Sequence, residues 1–233
     1  MGKLTRLIGD IHGEWELYHQ TATDAINFGG CERTIQVGDF GVGFAGPYWH
    51  DRADEFHWDG THRFIRGNHD DPSRCKKMPG WIQDGLVEND VMFIGGAWSI
   101  DHAFRTEGTS WWADEELSME ELYRMIAIYE QVKPRVMITH DCPQEVSTQM
   151  FIQSGLALFK GNAKTIPTRT AMAFSTMLSI HQPDFHFFGH WHHTMAYKHG
   201  RTTFVCLGIH DYIDVDLSDS DQIHAAIAER WSL

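Results

Sequence analysis

Histidine is the residue type that stands out. The 233-residue chain carries 16 His against 19 Lys plus Arg, and histidine is the commonest metal ligand in proteins. Five short segments place His, Asp or Asn directly behind an apolar run: Gly9-Asp10-Ile11-His12-Gly13, Gly38-Asp39, Arg66-Gly67-Asn68-His69-Asp70, Thr139-His140-Asp141 and Gly189-His190-Trp191-His192. Any one of them reads as a turn. Five in order, each behind a candidate strand, are hard to produce by chance. Carboxylate, amide and imidazole donors without thiolate suit Mn, Fe, Zn, Ni or Co better than Ca or Mg. Two such ions roughly 3.5–4 Å apart can hold a hydroxide and clamp phosphoryl oxygens. Two divalent ions outweigh two Asp carboxylates and one hydroxide, so even an acidic chain would offer phosphate a positive pocket.

These donors need elements that carry them to one place. Residues 5–8, 34–37, 62–65, 136–139 and 185–188 read as strands, and ligands in open α/β sheets gather at the carboxyl ends of strands. Residues 15–27 read as a helix that stops at Gly29-Gly30. The runs 91–94 and 97–100 look like a hairpin turning at Gly95-Gly96. Ser118 opens a helix, with Glu121 completing a capping box. Leu122, Met125, Ile126 and Tyr129 continue that helix at i, i+3, i+4 and i+7, and Pro134 closes it. Residues 196–197, 203–206 and 213–216 finish the chain as short antiparallel strands. Alternation first and strands last predict a mixed α/β sandwich. Residues 155–177 fit least well. They read as a mostly helical excursion carrying Lys160, Lys164 and Arg169, either a lid or a solvated surface helix pair.

Composition narrows the function classes. The net charge of −13 counts against a protein that covers duplex DNA by counterion release. Hydrophobic residues at 42% can build a core, which excludes a disordered chain. Residues 91–100 are broken by two glycines and fall far short of a membrane span, so no membrane partner is expected. The opening Met1-Gly2-Lys3-Leu4-Thr5-Arg6 has no apolar signal region, and a cytoplasmic location is expected. Cys31, Cys75, Cys142 and Cys206 form no CxxC pair and read as free thiols.

As a set, the five segments resemble the motif blocks of the calcineurin-like dinuclear metallophosphoesterase superfamily, over Asp10 to His192. The resemblance implies a four-layer α/β-β/α sandwich of two mixed sheets. It implies a single domain over residues 1–233; the helical excursion, read as a lid, would span about 143–181. It implies two divalent metal ions, Mn foremost and Fe, Zn, Ni or Co as alternatives. Asp10, His12, Asp39 and His192 would hold one ion, and Asp39, Asn68, His140 and His190 the other, with Asp39 bridging. His69 would protonate the leaving oxygen while Asp70 holds its other ring nitrogen, because a neighbouring carboxylate favours the imidazolium. The expected reaction is hydrolysis of a small phosphate mono- or diester, nucleotide-derived, by attack of a metal-bridging hydroxide. The alternatives are a nuclease or nucleic-acid end-processing phosphatase, a Ser/Thr-type protein phosphatase, and a non-catalytic metal-binding scaffold.

Two departures matter. The branch this chain most resembles continues its second block with Asp-Arg-Gly. Here the residues are Gly38-Asp39-Phe40-Gly41, which counts against a protein phosphatase. Arg66, Arg105, Lys160, Lys164 and Arg169 are then the candidate substrate-binding cations, and Arg66 reads equally as a brace behind the ligands. The second departure is Gly95-Gly96-Ala97-Trp98-Ser99-Ile100-Asp101, with Arg105 and Trp111-Trp112 after it. It resembles a block of small prokaryotic members. Its tryptophans could stack on a base, and at least one is expected to pack instead. Glu115, Glu116, Glu120 and Glu121 read as the acidic face at the start of the next helix.

Overall fold

The computed structural model describes residues 3–45, 51–56, 58–153 and 167–231. In chain order they form β1 (Leu4–Ile8), α1 (Trp15–Asn27), β2 (Cys31–Gln36), β3 (His62–Phe64), α2 (Pro72–Cys75), β4 (Val87–Glu88), β5 (Val91–Ile94) and α3 (Met119–Val132). There follow β6 (Val136–Thr139), α4 (Gln144–Gln153), α5 (Arg169–Ile180), β7 (Phe185–Phe188), β8 (Met195–His199), β9 (Thr202–Cys206), β10 (Tyr212–Val215) and α6 (Ser220–Arg230).

The strands make two mixed sheets. One has four strands in the order β10-β1-β2-β3, the other six in the order β4-β5-β6-β7-β9-β8. Strands β1, β2 and β3 are parallel, with β10 antiparallel at the edge. In the larger sheet β5, β6, β7 and β9 are parallel, with β4 and β8 antiparallel at the edges. Side chains alternate across each strand. Leu7, Ile35, Phe93, Ile138, Phe187 and Val205 therefore meet between the sheets. Their alternates face outward. Ile8 and Phe64 pack under Tyr18 and Ala22 of α1, while Met92, Ile94 and Met137 pack under Leu122 and Tyr129 of α3 and Phe174 of α5. Each fully buried side chain of this kind contributes about 1.5–3 kcal/mol. The result is an α/β sandwich of two mixed sheets with helices on both outer faces.

Local chemistry explains the elements. Helix α3 begins at the expected box: Ser118 Oγ accepts from the Glu121 N–H at 3.2 Å, and Glu121 Oε2 accepts from the Ser118 N–H at 2.8 Å. The hairpin lies elsewhere than expected. Strand β5 turns back onto β4 through Asn89 and Asp90, both with positive φ (49° and 65°), the geometry of a tight two-residue turn. Gly95-Gly96 instead leads the chain out of β5 past Arg66, and 97–100 is not a strand. Helix α5 buries Ala171, Ala173, Phe174, Met177 and Leu178, so this part of the 155–177 excursion is core helix, not solvated surface. Lys160 and Lys164 lie outside the described residues. The four cysteines are free and buried. Among the described residues no helix is long and apolar enough to cross a membrane.

Candidate metal centre

The five segments leave the carboxyl ends of β1, β2, β3, β6 and β7. Three strands come from one sheet and two from the other, so the sandwich brings their ends together across its rim. Four donors sit in left-handed backbone: His12 (φ 50°), Asp39 (57°), His190 (65°) and His192 (52°). That conformation is strained for residues with a side chain, and such strain concentrates at functional sites. Glycine is required beside them. A side chain on Gly38 (φ 101°) would overlap the His140 imidazole, and one on Gly67 would overlap Asp39.

Ligand atoms of Asp10, His12, Asp39 and His192 all lie within 4.8 Å of one another, and so do those of Asp39, His140 and His190. Asp39 belongs to both groups. In the first, His192 Nε2 stands 3.2 Å from Asp10 Oδ2 and 2.8 Å from His12 Nε2. In the second, His140 Nε2 stands 3.1 Å from Asp39 Oδ1 and 3.1 Å from Asn68 Oδ1. His190 Nδ1 stands 2.9 Å from the same Asn68 oxygen.

The chemistry of this donor set fits a cation. His140 Nδ1 faces the Val37 carbonyl at 2.9 Å. A carbonyl only accepts, so Nδ1 carries the proton and the Nε2 lone pair points at two oxygen acceptors. Only a proton or a metal ion reconciles three acceptors aimed at one point. Burial works against the His140 imidazolium, but the Asp39 carboxylate outweighs it and raises the pKa to about 10. Burial likewise opposes the Asp39 charge, yet His69 and His140 hold its carboxyl well below the usual range. Asp39 Oδ2 is buried without a hydrogen-bond partner, with His69 Nδ1 3.2 Å and His12 Nε2 3.8 Å away, an acceptor that an ion between these groups would satisfy.

His69 stands beside both groups. Its N–H donates to Asp39 Oδ1 at 2.8 Å, and its Nδ1 lies 2.9 Å from His12 Nδ1. Asp70 is directed away from the role expected of it. Its carboxylate accepts the backbone N–H groups of Phe40, Gly41, Val42 and Gly67 at 2.7–3.1 Å. A carboxylate ringed by amides tethers the loops that carry Asp39 and Asn68. Burial, then the Asp39 charge, raises the Asp70 pKa to about 6. Burial lowers the His69 pKa to about 4, so this chain holds the imidazole neutral at pH 7.

Sequence and comparison agree on architecture. No protein-family model matches the sequence, and no curated protein matches it. Among solved structures, TT1561 of Thermus thermophilus superposes with a TM-score of 0.56 at 12% identity, over 93% of this chain and 95% of that one. The "Putative 5'-Nucleotidase" of Staphylococcus aureus superposes with a TM-score of 0.50 at 13% identity, over 92% of this chain. This chain spans 50% of the Staphylococcus aureus one. The chain shares the α/β-sandwich fold of these two structures.

A cavity of about 230 Å³ opens over the centre, lined by Asp39, Asn68, His69, His190 and His192 at one end. Trp98, Ile100, Trp191 and Ala171 form its apolar wall, with Asp141, Gln144 and Thr168 as polar points. Arg105 also lines it, braced by Asp101 at 2.7 Å and 2.9 Å. Arg66 does not line it. It is buried, pairs with Asp84 at 3.2 Å and donates to the Glu115 carbonyl at 2.6 Å. Arg169 pairs with Glu116 at 3.3 Å. Trp112 is buried as packing while Trp98 faces the cavity.

Glu115 and Glu116 are corrections to the acidic-face reading, since both are buried. Glu116 accepts the Thr170 N–H and hydroxyl, each at 2.9 Å. Glu115 binds Ser99, and no spacing in the sequence announces that pair.

Proposed function

We propose that the chain is a metal-dependent hydrolase of small phosphate esters. The observation that carries this is Asp39, shared by two donor groups and presenting a buried oxygen with no hydrogen-bond partner. Asp10, His12, Asp39 and His192 would hold one divalent ion, and Asp39, Asn68, His140 and His190 the second. Ions held there supply Lewis-acid polarisation and charge neutralisation for a phosphoryl group. Mn²⁺ is the first candidate among Mn, Fe, Zn, Ni and Co, on donor type alone.

The residues of the chain do the rest. Arg105 faces the cavity as a fixed cation and orients an anionic phosphate. The wall of Trp98, Ile100 and Trp191 receives the organic part of the ester and excludes water. His69 lines the same cavity and would give the leaving oxygen its proton. An arriving phosphate anion favours its imidazolium, so the proton is taken up with substrate. The cavity volume and the net charge of −13 support a small ester over a nucleic acid. The segment 40–43 gives its N–H groups to Asp70 and Asp51, which supports a small ester over a phosphoprotein. The test is hydrolysis of p-nitrophenyl phosphate and bis-p-nitrophenyl phosphate by purified protein, with and without Mn²⁺. Metal-dependent turnover of at least one is expected, and turnover of neither, across Mn, Fe, Zn, Ni and Co, would sink the reading.

A further inference from the structure

The hydrogen bonds behind Asn68 run in one direction. Asn68, Ser99 and Glu115 are all buried. Asn68 Nδ2 donates to Ser99 Oγ at 3.0 Å. The Ser99 hydroxyl donates to Glu115 Oε2 at 2.6 Å, and the Ser99 backbone N–H donates to Glu115 Oε1 at 2.7 Å. A hydroxyl has one proton to give. Glu115 takes it, so Ser99 Oγ meets Asn68 as an acceptor and selects the amide NH₂. The planar amide then has its oxygen facing His140 and His190, 3.1 Å and 2.9 Å away. Turned over, it would aim two N–H groups at the same point and repel a cation.

The surrounding backbone keeps the three residues in register. The Gly96 N–H donates to the Arg66 carbonyl at 2.8 Å, two residues before Asn68. Arg66 in turn donates to the Glu115 carbonyl at 2.6 Å. Gly96 has φ 83°, and a side chain there would overlap that carbonyl. Arg66 and the Gly95-Gly96 step thus tie the Asn68 loop to both partners.

We propose that Ser99 and Glu115 are positioning residues that decide which face Asn68 presents to the metal centre. This rests on the metal-dependent reading above. It gives a role to the segment 95–101 and to a buried carboxylate that accepts both protons of Ser99. Orienting partners of this kind are worth about 10–100-fold in metal affinity.

Glu115→Gln tests it without changing shape. The Ser99 N–H still requires the amide oxygen of the new side chain, which leaves an NH₂ facing Ser99 Oγ. The Ser99 proton is then pushed toward Asn68, and the Asn68 amide turns over. Calorimetric titration of the wild-type chain with Mn²⁺ should show two sites. In Glu115→Gln one site should weaken about 10–100-fold, with the metal-free melting temperature close to wild type. Adding Asn68→Asp to Glu115→Gln should restore that site, because a carboxylate is an acceptor on both faces. A merely structural Glu115 predicts no such rescue. Should the variants fold poorly, NMR of the wild-type metal-free chain decides: one Asn68 side-chain N–H should be protected from exchange, and free exchange overturns the proposal. Two normal Mn²⁺ sites in Glu115→Gln, or no rescue in the double variant, overturn the relay alone. A wild-type chain that takes up no Mn²⁺ overturns the metal reading and the relay with it.

Discussion

The two halves of the candidate centre meet water differently. In the half made by Asp39, Asn68, His140 and His190 the His140 side chain is 0% exposed, while Asn68 and His190 line the cavity. A backbone carbonyl orients His140, and a side-chain relay orients Asn68. In the half made by Asp10, His12, Asp39 and His192 the Asp10 side chain is 0% exposed and the His192 side chain 35%, and Asp39 and His192 line the cavity. Enclosed donors have already lost their freedom when an ion arrives, whereas exposed donors lose it on binding. The half that contains the fully buried His140 should therefore bind its ion more tightly than the half that contains the exposed His192, and both halves face the cavity.

The largest effect should come from the residue the halves share. Asp39→Asn is expected to abolish hydrolysis and to lower bound metal well below two per chain by elemental analysis. Two ions per chain with normal activity would falsify the sharing.

His69 tests whether a residue touching both halves belongs to either as a ligand. His69→Asn should keep its metal and slow alkyl phosphates by about 10²–10⁴, with a much smaller effect on p-nitrophenyl esters, whose leaving group needs no proton. Collapse of the metal content instead would make His69 a donor.

Breaking one half at a time sharpens the comparison. His140→Ala leaves Asp39 buried beside one fewer partner, which costs about 3–5 kcal/mol in metal-free stability when a buried pair is broken. His192→Ala removes an exposed partner, and its unfolding midpoint should move far less while one ion is still lost. Urea denaturation of both variants without metal, paired with metal analysis, checks this. Equal midpoints would erase the distinction between the halves.

The smallest effects concern pH, where two buried histidines on neighbouring strands diverge. Among the described residues His186 faces the Thr139 hydroxyl and aromatic rings, and burial lowers its pKa to about 3. Its contribution to stability is present above about 6.5 and is lost as pH falls toward 3. For His140 burial acts the same way, but Asp39 reverses it to about 10. Its contribution is present below about 6.5 and is lost as pH rises toward 10. The metal-free chain should thus lose stability on both sides of neutral pH. His186→Phe should flatten the acid limb only, and Mn²⁺ should flatten the alkaline limb by taking the place of the His140 proton. Thermal unfolding across pH 4–10, a window about as wide as the two shifts, measures both.

Much of the fold was legible because period and local chemistry agree. The apolar runs at 136–139 and 185–188, the Ser118 box and the helix at 15–27 all depend on neighbours in sequence. The seven expected donors converge because each follows a strand whose carboxyl end lies on one rim. The hairpin was misplaced because two glycines advertise a turn wherever they stand, and only packing against Arg66 and Glu115 shows that these two serve a close approach. Asp70 was misassigned for a related reason. Adjacency to His69 in sequence suggested a shared bond, but the loop turns the two side chains apart, toward amides on one side and the cavity on the other.

Residue types and order determined by themselves that imidazole, carboxylate and amide donors would be delivered by strand ends, since donor chemistry and strand period are local properties. Tertiary structure alone decided which donors share a point, which face Asn68 turns to it, and whether a buried histidine is held neutral or charged. Those outcomes hang on partners 16 to 180 residues away in the chain. A hydrogen-bond direction or a buried charge has no meaning until such partners are brought within a few ångströms.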